Sequence, residues 1–213
     1  MKTKLTILLL ILFYTTIFSQ GSAALKLGMF SPEATENGFI LGYEGQKRID
    51  ERFAIGWSVD WFNKNYVDKN LVREFDDFFG VPNSELNELR AKTNLHSVPL
   101  MFTVTGYFPI AYRMKAFATA AFGAEVLLIF YNDYADPNKD EFHAAFDFNW
   151  RIGTGFLYEV SSRTDAFVEL GYHGSEPSWT FDVIEPITRK KRTFERTFDM
   201  SGVLMRVGMR FFF

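Results

Sequence analysis

The sequence has 213 residues, 25 of them phenylalanine, no cysteine, and a formal net charge of -3 at pH 7. The lack of cysteine excludes a disulfide framework, a thiolate nucleophile, a cysteine-ligated metal and an acylated lipoprotein anchor. The mildly acidic charge offers no basic stripe for nucleic acid, and a single domain is expected at this length. The aromatic fraction of 18% is well above what one soluble core usually needs.

The first twenty residues have the pattern of a secretory leader. Lys2 and Lys4 form a basic start, and Leu5–Phe18 is a largely apolar run. Fourteen residues are too few to span a bilayer as a helix, which favours a cleaved leader over a retained anchor. We therefore expect 1–20 to be a cleaved signal peptide and 21–213 to be one exported domain.

Eight later segments alternate with period two between an apolar face and a face of small, polar or charged residues. In the clearest of them, Phe148 and Trp150 lie on one face while Asn149 and Arg151 lie on the other. This alternation predicts strands with two different environments on their two sides. The eight segments are Leu25–Phe30, Phe39–Glu44, Phe53–Phe62, Val98–Phe108, Ala116–Phe130, Phe146–Val160, Ala166–His173 and Val203–Phe213.

The connections between these segments alternate between long and short. Short turns are expected at Gln46–Glu51, Pro109–Arg113 and Ser161–Asp165, whereas Asn63–His96 and Gly174–Thr197 are long excursions. In an up-and-down barrel with both termini on one side, this order places every long loop at the opposite end. The connections therefore predict a barrel with short turns at one end and long loops at the other.

The composition of the polar face indicates that it points into the barrel. A soluble ligand-binding barrel would turn its polar face to water and carry many Lys and Glu there, but here Gly, Ala, Ser and Thr dominate. Small residues and a few opposite charges suit the narrow interior of an eight-stranded barrel, which side chains fill. Buried charges are expected to pair across strands. The predicted interior charges are Asp60, Glu125, Asp147, Arg151, Glu169, Arg206 and Arg210.

The final segment divides into two faces in the same way. Val207, Met209, Phe211 and Phe213 share the apolar face, which is expected to meet lipid. The chain resembles the small eight-stranded outer-membrane β-barrel proteins of the OmpA and OmpX type, within the outer-membrane protein beta-barrel domain family. The resemblance covers essentially all of 21–213.

That resemblance implies an all-β fold, an eight-stranded antiparallel up-and-down transmembrane β-barrel in the cell outer membrane, with both termini in the periplasm. It also implies that the four outward residues of the last segment form the assembly signal read by the barrel-insertion machinery. The expected surroundings are the lipid bilayer and lipopolysaccharide, and the expected oligomeric state is a monomer. We expect no cofactor, no metal and no nucleic acid partner.

The second extracellular loop contains two helical patterns. The spacing of its apolar residues, ended by Gly80 and Pro82, predicts one short helix, and either Asn83 or Ser84 is expected to cap a second short helix. Three phenylalanines in it either pack on the barrel mouth or dock a partner protein or the outer leaflet. They are Phe75, Phe78 and Phe79.

A run of four basic residues lies in the last long loop. It is a solvated loop tip in one interpretation and a contact for lipopolysaccharide phosphates in the other. The run consists of Arg189, Lys190, Lys191 and Arg192.

One short motif raises the possibility of catalysis. His173 and Ser175 have the H-x-S spacing that resembles part of the active site of outer-membrane lipid A deacylases. That pattern has Asn after the Ser, whereas Glu176 follows here, and the alternation turns His173 inward, away from lipid.

The sequence thus favours a non-enzymatic structural or interaction protein that contacts a partner or the envelope through its extracellular loops. Its lumen is expected to be plugged by side chains. A lipid A-modifying hydrolase that uses His173 and Ser175 is one alternative, and a narrow small-solute channel is another.

Overall fold

A computed structural model of the protein describes residues 21–67, 92–132, 140–184 and 191–213. These residues form ten strands, and none of them belongs to a helix long and apolar enough to cross a membrane. The strands are β1 (Gly21–Pro32), β2 (Gly38–Arg48), β3 (Phe53–Val67), β4 (Lys92–Ala111), β5 (Met114–Asn132), β6 (Asp140–Ser161), β7 (Thr164–Gly174), β8 (Ser178–Ile184), β9 (Lys191–Thr197) and β10 (Gly202–Phe212).

Eight of these strands close into an antiparallel barrel. β1 to β7 pair in chain order, and β10 lies between β7 and β1. The closing seam between β1 and β10 runs from Ser22 opposite Phe212 to Pro32 opposite Gly202. The predicted eight-stranded up-and-down barrel is confirmed, because the remaining strands, β8 and β9, form a hairpin outside the barrel order.

The strands differ from the prediction in length and in number. β3 reaches Val67 and β4 begins at Lys92, so the pair extends well into the predicted Asn63–His96 loop. The predicted Gly174–Thr197 excursion contains two strands, β8 and β9, that the sequence did not predict. A hairpin outside the barrel wall does not separate an interior from an exterior, so period-two alternation does not mark its strands.

Three predictions made from the sequence lie outside the described residues. They are the signal peptide, the two short helices and the three loop aromatics Phe75, Phe78 and Phe79.

An apolar layer closes the interior near the end that carries the termini. Tyr107, Phe117, Leu157 and Phe167 are buried together there with two alanines. Phe117 and Phe167 meet edge to face, with ring centroids 6.1 Å apart. A glycine makes room for the second ring, because a Cβ built on Gly208 would lie 2.5 Å from an atom of Phe167. Aromatic rings thus fill the barrel at this level.

A second, larger apolar layer, the loop-end cluster, closes the opposite end. Strand residues supply most of it, and two residues come from the segment between β9 and β10. That segment is held in place by backbone bonds from Phe198 N–H to Pro177 O and from Met200 N–H to Ser175 O, both 2.9 Å. The loop-end cluster comprises Phe30, Ile40, Phe62, Leu95, Leu127, Ile129, Ala145, Phe198, Met200 and Leu204.

The loop-end cluster predicts a large difference between two methionines. Met200 is fully buried in it, whereas Met205 faces outward from β10 and is 57% exposed. We expect Met200→Ala to lower the free energy of unfolding by about 2–5 kcal/mol, because a buried cavity replaces the side chain. Urea unfolding of the refolded protein in detergent micelles measures this change. Met205→Ala is the matched control, and an equal loss in both variants would contradict the packing described here.

Candidate functional site: the charged interior and the loop end

A continuous chain of ion pairs crosses the barrel between the two apolar layers. Arg151 on β6 donates from Nη1 to Asp60 Oδ2 on β3 at 2.5 Å. Arg206 on β10 donates to Asp60 Oδ1 at 2.9 Å and to Glu169 Oε1 on β7 at 2.7 Å. All four side chains are buried. Cations and carboxylates therefore alternate across four strands.

The chain continues through two charges that the sequence analysis did not select. Lys26 Nζ on β1 lies 3.1 Å from Glu169 Oε2 and 2.5 Å from Glu44 Oε2 on β2. Arg210 then donates to Glu44 Oε1 at 2.7 Å and to the Tyr107 hydroxyl. Like the charges above, Lys26 and Glu44 are almost fully buried. The network therefore joins all the barrel strands except β4 and β5 by charge, and Tyr107 extends it to β4.

The period-two alternation of β1 and β2 does place Lys26 and Glu44 on the inward face. Lys26 lies between the outward-facing Leu25 and Leu27, and Glu44 follows the outward-facing Tyr43, so both fall on the inward face. Both residues lie near the ends of the two shortest predicted strands, where the alternation defines a face only weakly. They nevertheless complete the pairing of the interior charges.

A glycine makes room for the carboxylate at the centre of this network. A Cβ built on Gly42 would lie 2.1 Å from Asp60 Oδ1. Because Asp60 is held by two arginines, its carboxylate has little freedom to move aside.

Glu125 belongs to a separate polar group nearer the loop end. Its Oε1 accepts a hydrogen bond from Ser97 Oγ at 2.6 Å, and its Oε2 lies 2.8 Å from His173 Nε2. The imidazole also meets the ring of Phe30 edge to face, at 5.6 Å between centroids. This buried pair lies directly against the loop-end cluster, which contains Phe30.

The H-x-S motif lies inside the barrel and not on its outward face. His173 and Ser175 are both buried, and the imidazole bonds Glu125. Ser175 Oγ lies 3.4 Å from Asp147 Oδ2, and the same carboxylate oxygen accepts from Glu176 N–H at 2.6 Å. The described hydrogen bonds do not include one between His173 and the Ser175 hydroxyl, which is the contact that activation of a serine requires. Asp147 thus supports a turn and takes no part in the ion-pair chain.

The proposed assembly residues are exposed along the outer face of β10. Val207, Met209, Phe211 and Phe213 all point away from the lumen. Phe212 is partly buried at the lumen rim, where the Arg48 guanidinium stands 4.7 Å from its ring centroid. The rings of Phe211 and Phe213 therefore lie on the outer side of the barrel wall, and the ring of Phe212 lies on the inner side.

The basic run is only partly within the described residues. Arg189 and Lys190 lie outside them, whereas Lys191 and Arg192 begin β9. Within the described ranges, no group of three or more His, Asp or Glu side chains is arranged to hold a metal ion.

Comparison with known proteins places this geometry in one structural class. No protein-family model matches the sequence, and no curated protein matches it. Solved structures do match, among them the outer membrane protein OprG from Pseudomonas aeruginosa, at 10% identity and a TM-score of 0.61 over 92% of this chain and 96% of OprG. A major outer membrane protein from Thermus thermophilus matches at 12% identity and a TM-score of 0.60 over 91% of this chain and 98% of that protein.

Neisserial surface protein A also matches, at 12% identity and a lower TM-score of 0.54 over 91% of this chain and 96% of that protein. At these identities the likeness concerns the fold. The chain has the fold of small eight-stranded outer-membrane β-barrels, so the resemblance found in the sequence is confirmed at that level.

The ion-pair chain predicts a strong effect from neutralising its central carboxylate. We expect Asp60→Asn to lower the free energy of unfolding by about 3–5 kcal/mol, because Arg151 and Arg206 would then share no anion in a buried site. Equilibrium unfolding in detergent or lipid vesicles measures the change.

Glu36→Gln is the control for that variant. Glu36 pairs with Lys64 at 3.4 Å, but its side chain is 83% exposed, so a change of at most about 1 kcal/mol is expected. Equal losses from the two variants would mean that the interior network contributes no more than a surface pair.

Proposed function

We propose that the protein is an integral outer-membrane β-barrel with a structural or interaction role, exercised through its loops at the end opposite the termini. One observation carries this proposal. The outward faces of the barrel strands are mainly apolar, and the charges buried midway along those strands point inward and form ion pairs with each other. A protein surrounded by water would show the opposite distribution, whereas a barrel in lipid needs this one.

The outward face also carries aromatic rings that pair between strands. Trp61 stacks on His96 with centroids 6.0 Å apart, and Trp150 meets Tyr172 at 5.8 Å. Trp and Tyr favour the boundary between hydrocarbon and headgroups. In the proposed arrangement the termini and short turns lie in the periplasm, and the long connections meet lipopolysaccharide outside.

The interior supports a closed barrel. Two apolar layers and an ion-pair chain occupy the described lumen, so the geometry favours a role at the surface over passage of solutes. The lipid A-hydrolase alternative requires a serine that is paired with histidine and open to the leaflet. Here both side chains are buried, and the described hydrogen bonds do not include one between them.

The membrane proposal predicts opposite results for two exposed aliphatic residues. Leu27 lies midway along β1 on the outward face, and Ile49 lies in the turn after β2. We expect Leu27→Arg to cost about 2–4 kcal/mol of unfolding free energy in lipid vesicles, because it places a charge near the bilayer midplane.

Ile49→Arg is the control and should change little, since that turn is expected to lie in water. If Leu27→Arg were as harmless as Ile49→Arg, the outward face would not be in contact with lipid. Heat-modifiable gel migration of both variants checks that the barrel still forms.

The interaction role predicts that the loops can be removed without loss of the barrel. We expect replacement of 68–91 by a short turn to preserve heat-modifiable migration and outer-membrane fractionation, because the paired strands end at Val67 and Lys92. Proteins that co-purify with the wild type from solubilised membranes should be depleted from the variant. An identical set of co-purifying proteins would remove this loop from the proposal.

A further inference from the structure

The hairpin of β8 and β9 is anchored to the barrel rather than joined to it by loose connections. β8 pairs with β6 where Ser178 lies opposite Phe146. At the base of the hairpin, Phe198 and Met200 continue the backbone pairing toward Pro177 and Ser175, and their side chains are buried in the loop-end cluster. An element held at its base by buried side chains needs less ordering when it binds a partner.

One edge of this hairpin is available for pairing. β9 pairs with β8 along its whole length, from Lys191 opposite Ile184 to Thr197 opposite Ser178. Among the described strands β9 has no other neighbour, and it stands last in the sheet order. Its second row of backbone N–H and C=O groups is therefore left unpaired by the described strands along its whole length.

The sequence of β9 restricts which strand can pair with that edge. It reads KRTFERT and contains Lys191, Arg192 and Arg196 against Glu195, while its other residues are strong strand formers. A second copy of β9 would bring like charges together and is disfavoured. An extended chain rich in carboxylates would place opposite charges across the pair.

We propose that β9 is a docking edge for an extended acidic polypeptide segment, which adds a strand to the hairpin. Main-chain hydrogen bonds would supply affinity, and pairing of the partner's carboxylates with the cations of β9 would supply specificity. The inference rests on the proposed function, because it assigns a partner chemistry to the loop end.

The test uses the full mature chain in detergent micelles and synthetic peptides in which glutamate alternates with threonine. Fluorescence anisotropy of the labelled peptide should show saturable binding. The same peptide with alternate backbone nitrogens methylated should bind about tenfold more weakly or worse, because strand addition needs those N–H groups. A peptide that alternates lysine with threonine should not bind.

Matched variants locate the site. The double variant Arg192→Glu/Arg196→Glu should weaken binding at least about tenfold. The control Arg52→Glu/Arg163→Glu reverses two exposed arginines in turns at the other end of the barrel and should leave binding unchanged. Unchanged heat-modifiable migration shows that both variants fold.

Three results would overturn the docking edge. They are no binding of the acidic peptide, equal binding of its methylated form, or equal loss in the control variant. Equal binding of the methylated form would indicate simple attraction of anions, which is what a site for lipopolysaccharide phosphates would show. A correctly inserted barrel that fails this test refutes the docking edge alone, whereas failure of the Leu27→Arg comparison refutes the membrane proposal independently.

Discussion

The buried guanidinium of Arg206 is the interaction on which the interior depends. It lies on the closing strand, directly opposite Gly28 of β1, and it bonds Asp60 and Glu169 from two other strands. A Cβ on Gly28 would lie 2.8 Å from Arg206 Cγ, so the seam closes only because that position carries no side chain. Pairing of β10 with β1 therefore also places Arg206 beside its two carboxylates.

This arrangement explains why so many charges are tolerated in a narrow space. A buried ion is costly when it stands alone, and the cost falls only when its partners and hydrogen bonds are complete. In the observed chain every carboxylate lies between two cations: Asp60 between two arginines, Glu169 between Arg206 and Lys26, and Glu44 between Lys26 and Arg210. The opposite charges offset the cost of burying each other, so none of these three carboxylates lies unpaired in the lumen.

Alternation was enough to predict the barrel, but not the details of its interior. A strand with lipid on one side must show period two, so β3, β6 and β10 were visible, and so was the direction of Asp60, Arg151 and Arg206. Which of these would touch depends on how the strands are staggered around the barrel, and the sequence does not show the stagger. Arg151 bonds Asp60 across two intervening strands, and nothing in the spacing of the two residues predicts that.

The strands and residues that the sequence did not predict lie where the period-two alternation is short or absent. Lys26 and Glu44 lie near the ends of short alternating runs, where too few residues define a face. β8 and β9 lie outside the wall, where lipid imposes no alternation at all. Phe198 and Met200 fill the lumen from the segment between β9 and β10. Strand alternation does not mark the core residues of such a connecting segment.

The same connecting segment links the barrel to the end where the proposed function lies. Glu33 and Ala34, in the connection after β1, donate backbone bonds to Ser201 and Asp199 at 2.9 and 2.8 Å, so the first and last connections are tied together over the lumen. Phe198 and Met200 of the same connecting segment belong to the loop-end cluster. The pair of Glu125 and His173 contacts that cluster where the His173 ring meets Phe30. A force on the hairpin of β8 and β9 is thus carried first by buried apolar side chains and then by a buried hydrogen-bonded pair. The loop end is therefore a continuation of the folded barrel, and a surface built on it keeps a fixed shape for recognition.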